Sequence, residues 1–439
     1  MCGRAVILAL LLLAIVAPAC SRGGGAADEA TFVAVSPDSD SPTDRAIAEA
    51  QSRLRTNGDD PNAKLDLARA FLQKVRETAD PTLYTKADQL LDDVAERDAD
   101  DLRLLVAQGT LALARHEFAD ALDIGRRALE VAPGNEAAYG VVVDAYNELG
   151  RYDEALEAGD AMLQVRPDLA ALSRASYARE LRGDLDGAIV AMTQAVTAGS
   201  SGKGGENLAS VQVLLGNLLV TKGDLSQAAI AYDAAETSFP KLPAIDAGRA
   251  RLLVAQGRYQ EAADLLEKVL DVQPLAEHAV ARGDALIAAG KPDEAEDAYA
   301  LVDTIATLYE SNGVDVDLEL ALFEADRDPG KQAVDDAREA LKTRPGIFGH
   351  DALAWNLFRA GEVEPAAAEM EKALETGSQD PQLRFHAAAI ADAAGDRDAA
   401  AAHLTIVLST NPRFSAALVD EVEALAERYG MAVPPPSVP

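Results

Sequence analysis

The chain offers few residues from which a reactive centre could be assembled, and their spacing decides what each could do. Five histidines occur, His116, His278, His350, His386 and His403. None belongs to an H-E-x-x-H pair, the helical spacing at which two imidazoles share a zinc ion beside a general-base glutamate. No G-x-S-x-G marks the nucleophile elbow of a hydrolase. The stretch 199–205 (GSSGKGG) departs from G-x-x-x-x-G-K-[ST], whose backbone N–H groups cradle phosphates, and reads as a flexible connection. Two segments are less ordinary: 347–359 (IFGHDALAWNLFR), which holds the only tryptophan, and 383–388 (LRFHAA). His350 and His386 with Asp351 could hold a metal across two structural units. Phe348, Asp351, Trp355, Phe358 and Phe385 could anchor a partner, because aromatic side chains bury much area at little entropic cost. The plainer reading of the same aromatics is that they fill a seam between packed helices. We find no catalytic signature and expect no enzyme, no cofactor and no metal.

The elements that would position these residues are legible in 135–168 (NEAAYGVVVDAYNELGRYDEALEAGDAMLQVRPD). Val142, Val143 and Tyr146 form one apolar helix face, which ends near Leu149, where Gly150 can adopt the left-handed stop. A second helix follows. Ala155 admits close approach to the first, Ala158 and Met162 continue its stripe, and Pro167 forbids further helix. The mark at Ala155 recurs about every 34 residues, at Ala87, Ala121, Ala188, Ala228, Ala262, Ala295, Ala333, Ala366 and Ala400. Glycines at 150, 183, 223, 257, 290, 361 and 395 and prolines at 133, 167, 240, 274, 345 and 412 repeat in the same phase.

With Tyr139, Tyr146, Gly150, Ala155 and Pro167 at this spacing, the unit resembles a tetratricopeptide repeat. The resemblance implies an all-α, right-handed superhelical solenoid of about ten helix–turn–helix units, since neither helix can bury its face alone. We place the solenoid at 43–430, with capping helices at 44–55 and 415–429 and a disordered Pro-rich tail at 431–439. An insertion at 75–82 disturbs the first unit, the second helix of the seventh runs on past Leu301, Ile305 and Leu308, and Asp328-Pro329-Gly330 shortens the turn of the eighth. The resemblance further implies a non-catalytic scaffold or adaptor that binds a protein or peptide on its concave face. Some members grip an acidic C-terminus with Lys, Asn and Arg. The inward positions here are Asp144, Asn147, Asn217, Arg251, Asp284 and Asp351, of which only Asn217 and Arg251 suit that task, so the clamp is not carried over. The competing assignments are an accessory subunit of an envelope enzyme, secretion or transport complex and, further off, a metal protein or hydrolase.

Charge and the N-terminus set the context. A formal charge of −33 repels phosphate backbones and anionic lipid heads, which argues against nucleic-acid partners. Residues 1–19 carry Arg4 and then an apolar run too short to span a bilayer, which is the pattern of a secretory signal peptide. Cleavage after Ala19 would leave Cys20 first, resembling the bacterial lipoprotein signal, in which that cysteine is lipidated; Ser21 would then favour the outer membrane of a cell that has one. Plain secretion or a periplasmic location is the alternative. Cys20 is the only cysteine of such a mature chain, so no intramolecular disulfide can form, and 20–42 reads as a flexible linker.

Overall fold

A computed structural model describes residues 31–35, 41–200 and 205–436, and among these the regular structure is helical, with no strand. The expectations for 1–19, for Cys20 and for 201–204 lie outside the described residues. Helix α1 (Pro42–Thr56) precedes ten hairpins. The first five are Pro61–Thr78 with Thr82–Ala95 (α2, α3), Leu102–Ala114 with Phe118–Val131 (α4, α5), Glu136–Glu148 with Tyr152–Val165 (α6, α7), Leu169–Leu181 with Leu185–Ser200 (α8, α9) and Glu206–Lys222 with Leu225–Ser238 (α10, α11). The next five are Pro243–Ala255 with Tyr259–Leu270 (α12, α13), Ala276–Ala288 with Pro292–Glu310 (α14, α15), Asp317–Arg327 with Lys331–Thr343 (α16, α17), Ile347–Arg359 with Val363–Ala373 (α18, α19) and Pro381–Ala393 with Arg397–Ser409 (α20, α21). Helix α22 (Val419–Arg428) ends the series.

Local chemistry sets these boundaries. Asp60, Asp101, Asn135, Asp168 and Asp380 cap their helices by accepting from backbone N–H groups of the first turn. Each alanine of the register ladder is buried. Aromatic rings then use the space that glycines leave: Tyr232 lies against both Gly216 and Gly248, where any Cβ would collide with its ring. The insertion of the first unit lengthens α2, and α15 runs on to Glu310 as its apolar spacing predicts.

Two ends differ from expectation. Residues 31–35, expected within a linker, dock on α1: Gln51 donates to the carbonyl of Val33 at 3.1 Å and accepts from its N–H at 2.7 Å, and Arg55 covers the Phe32 ring. Phe32, Val33 and Val35 are apolar within a polar stretch, and burying them holds the segment. Residues 431–436, expected to be a disordered tail, also pack. Met431 and Val433 join the core beneath α22, and Arg413 donates to the carbonyl of Pro434 at 2.9 Å.

The solenoid also closes on itself. The turn inside each early hairpin meets the connection after a hairpin one coil later. The Tyr309 hydroxyl donates to the carbonyl of Ala79, His116 bonds the carbonyl of Asp315, Gly150 abuts Pro345 and Gly346, Gly183 abuts Gly377, and Gly223 abuts Thr410. The turns of hairpins two to five thus meet the connections that follow hairpins seven to ten, so one coil takes between five and six hairpins. His116 occupies the phase that Gly150 holds one unit later and, like it, has positive φ, 63° against 67°. Its imidazole spans the seam that glycine elsewhere reaches with bare backbone.

Candidate functional site

The aromatic group of the ninth and tenth hairpins is a packed seam. Trp355 is 0 % exposed. Its ring stacks on His386 with centroids 3.9 Å apart, Arg359 lies over it at 4.4 Å, and its Nε1–H donates to Asp326 at 3.0 Å. Phe385 and Asp351 are each 1 % exposed, and the Asp351 carboxylate takes a 2.9 Å hydrogen bond from Nδ1 of the equally buried His386. Phe358 stacks beside Trp355 at 5.1 Å. Phe348, 36 % exposed, lies apart from them and lines a small cleft with Tyr152, Tyr177 and Arg344. The expected partner-binding patch of Phe348, Asp351, Trp355, Phe358 and Phe385 is therefore not an open surface in this structure. Four of the five come together, but as interior, and the fifth faces the junction between coils.

No metal constellation is assembled from the histidines. His350 pairs with Glu369 at 2.7 Å and His386 with Asp351, so the two point to different carboxylates. Among the described residues no group of three or more His, Cys, Asp or Glu is placed to hold a metal ion.

The inward positions of the middle hairpins instead carry ionisable groups in a confined space. Glu180 of α8 has its carboxyl pushed up to about 7, by burial first and then by the Asp380 carboxylate, with Arg251 opposing. Asp284 of α14 is pushed up to about 6, mainly by burial and also by Asp326, although the Tyr299 hydroxyl donates to it at 2.8 Å. Glu180, Arg251 and Asp380 belong to the fourth, sixth and tenth hairpins, so the coil brings distant units within electrostatic reach. Asp144 is neutralised by Arg174 at 2.6 Å, and Asn217 accepts from Tyr232.

Open inner surface survives at the N-terminal end. A groove of about 600 Å³ runs between α1, α2 and α4, with Ala46, Ala50 and Val106 among its apolar lining and Arg53, Arg69 and Arg76 among its polar lining. Arg53 is held by Asp60 and Asp66. Arg76 touches only Gln73 through its guanidinium, and Arg69 has no ionic or hydrogen-bond partner among the described residues. Arg69, Gln73 and Arg76 share one face of α2 at i, i+4 and i+7. That spacing is visible in the sequence, but the insertion at 75–82 separates α2 from Ala87, the mark of its unit, so the repeat pattern does not show which face of α2 turns inward.

A family model described as tetratricopeptide repeat matches residues 106–170 and 248–307. Sequence comparison with curated proteins gives no match. Among solved structures, a thermophilic TPR protein of Thermus thermophilus is 19 % identical, with 40 % of this chain and 91 % of that one covered and a TM-score of 0.36. The Cut9–Hcn1 hetero-tetramer of the APC/C gives 13 % identity, coverage of 88 % and 66 %, and a TM-score of 0.49. A tetratricopeptide repeat protein from Parabacteroides merdae gives 17 %, coverage of 57 % and 98 %, and 0.39.

Proposed function

We propose that this chain of tetratricopeptide repeats is a non-catalytic interaction scaffold of the bacterial cell envelope, exported by residues 1–19 and tethered by a lipid on Cys20. It binds a protein or peptide partner on its inner surface. One observation carries this reading: the open groove between α1, α2 and α4 is lined by Arg69, which has no ionic or hydrogen-bond partner among the described residues, and by Arg76, held through Gln73, in a chain of formal charge −33. Cations left unpaired in such an acidic chain suit a partner segment that brings carboxylates, with the small apolar lining receiving its side chains.

The test is affinity purification of the tethered full chain from its native envelope, with mass spectrometry of companions and of the N-terminal peptide. A stoichiometric companion that is lost on Arg69→Glu with Arg76→Glu, at unchanged thermal unfolding, supports the groove, and diacylglyceryl-Cys20 supports the anchor. A companion that is itself an envelope enzyme or transporter makes this chain its accessory subunit. The absence of any reproducible companion overturns the scaffold reading, and membrane retention of Cys20→Ser overturns the anchor.

A further inference from the structure

The two terminal helices are held in different ways. Helix α1 stacks closely on α2, as neighbouring helices do throughout the solenoid, whereas α22 makes no comparable backbone approach to any helix. It is the shortest helix among the described residues, with 10 residues, and has no side-chain N-cap. The long connection 410–418 leads to it, against 166–168 between α7 and α8. A helix of this length has little stability of its own and depends on what it lies against.

What it lies against is chiefly the Trp355 seam, while Ala416, just before it, joins the core of the sixth and seventh hairpins. Leu418, Val419, Val422, Leu425 and Ala426 are buried, and most of them share one core with Trp355, Phe385, Leu404 and Val407. The polar side is matched as well. Glu421 pairs with Arg359 at 2.7 Å, Arg428 pairs with Asp392 at 2.8 Å, and the Tyr429 hydroxyl donates to Asp392 at 2.8 Å. Apolar residues at i, i+3, i+6 and i+7 with an acid between them are the pattern of an amphipathic helix laid in a groove.

We infer that the inner side of the eighth to tenth hairpins is a helix-receiving site, held in this structure by the chain's own α22, and that its exchangeable partner is an acidic amphipathic helix with the same stripe. The inference deepens the scaffold reading and rests on it for biological meaning. Arg359, which Asp326 holds at 2.7 Å from the eighth hairpin, also meets Glu421 and so supplies the cation for the acid of such a helix, and the side-chain attachment of α22 lets a competitor replace it without unstacking a hairpin.

Trp355 is the only tryptophan, so its emission reports this site alone. In the full chain, Val422→Asp with Leu425→Asp should shift that emission to longer wavelength, with a helicity loss no greater than α22 itself. A synthetic peptide of residues 415–433 should then restore the emission saturably, the same peptide with both substitutions should not, and the unmodified chain should bind the peptide at least tenfold more weakly. Hydrogen exchange of the unmodified chain should open α22 at least tenfold faster than α18 and α20. Unchanged emission, failure of the peptide to restore it, loss of the hairpins in the variant, or equal protection of α22 and α18 would each make α22 a permanent cap and overturn the inference. No natural partner enters these readouts, so they stand or fall separately from the companion search.

Discussion

The hydroxyl of Tyr152 accepts a 2.8 Å hydrogen bond from the backbone N–H of Ile347, 195 residues further along the chain. Ile347 opens α18, where the first N–H groups have no partner within the helix, so one coil caps a helix of the next. Burial pushes the phenol up to about 12, which keeps it neutral at any physiological pH.

Tyr152→Phe should leave that buried N–H unpaired and cost about 1–3 kcal/mol. Urea denaturation measures the loss, and small-angle scattering should show a larger radius of gyration if the coils part.

Gly150 and Gly361 separate the seam from local backbone strain. Both have positive φ, 67° and 84°, but a Cβ on Gly150 would lie 2.8 Å from the carbonyl oxygen of Pro345, while one on Gly361 meets open space. Gly361→Ala should lose about 1 kcal/mol, the ordinary left-handed penalty. Gly150→Ala should lose clearly more and expand the molecule. Equal melting temperatures for the two would show that the coils do not press together at this point.

Glu180 makes stability depend on pH. Its folded carboxyl titrates near 7 and an unfolded one near the ordinary 4.5, so the folded chain binds the extra proton between these values. The stabilisation is full below 4.5 and is lost as pH rises through 7. Glu180→Gln should therefore match the parent at pH 4 and exceed it at pH 8 by about 1–3 kcal/mol, a range reduced for partial solvent screening. Urea midpoints at the two pH values check the sign; a variant weaker at pH 8 would show the carboxylate to be well paired.

Trp355→Ala should cost about 3–5 kcal/mol, because it empties a buried site and strands the Asp326 and His386 contacts. Thermal unfolding followed by circular dichroism reads this directly. A variant with unchanged stability would return Trp355 to the role of an exposed anchor.

The ten hairpins were readable because each rests on local marks repeated in phase, such as Ala155 against the first helix and Gly150 at its end. The coil closure was not. Its contacts at Gly183 with Gly377 and at Gly223 with Thr410 run through backbone, which leaves no side-chain signature in either pair. Trp355 sits at a nominally inward position and was ambiguous for a related reason. Whether an inward ring meets solvent depends on α22, which approaches from beyond the repeats. Arg69 escaped notice because its neighbour α1 belongs to no repeat.

A solenoid with free coils tolerates the gain or loss of a unit, since each unit touches only its neighbours. Coils that touch remove that freedom. Deleting one hairpin between Gly150 and Pro345 would shift the pairings that straddle it by a full unit, setting Gly150 against the connection at Gly377 in place of the one at Pro345, so that each fitted pair changes partner. A change of repeat number inside this chain is therefore resisted by the fit of particular residues across the coils, and not by the repeats themselves.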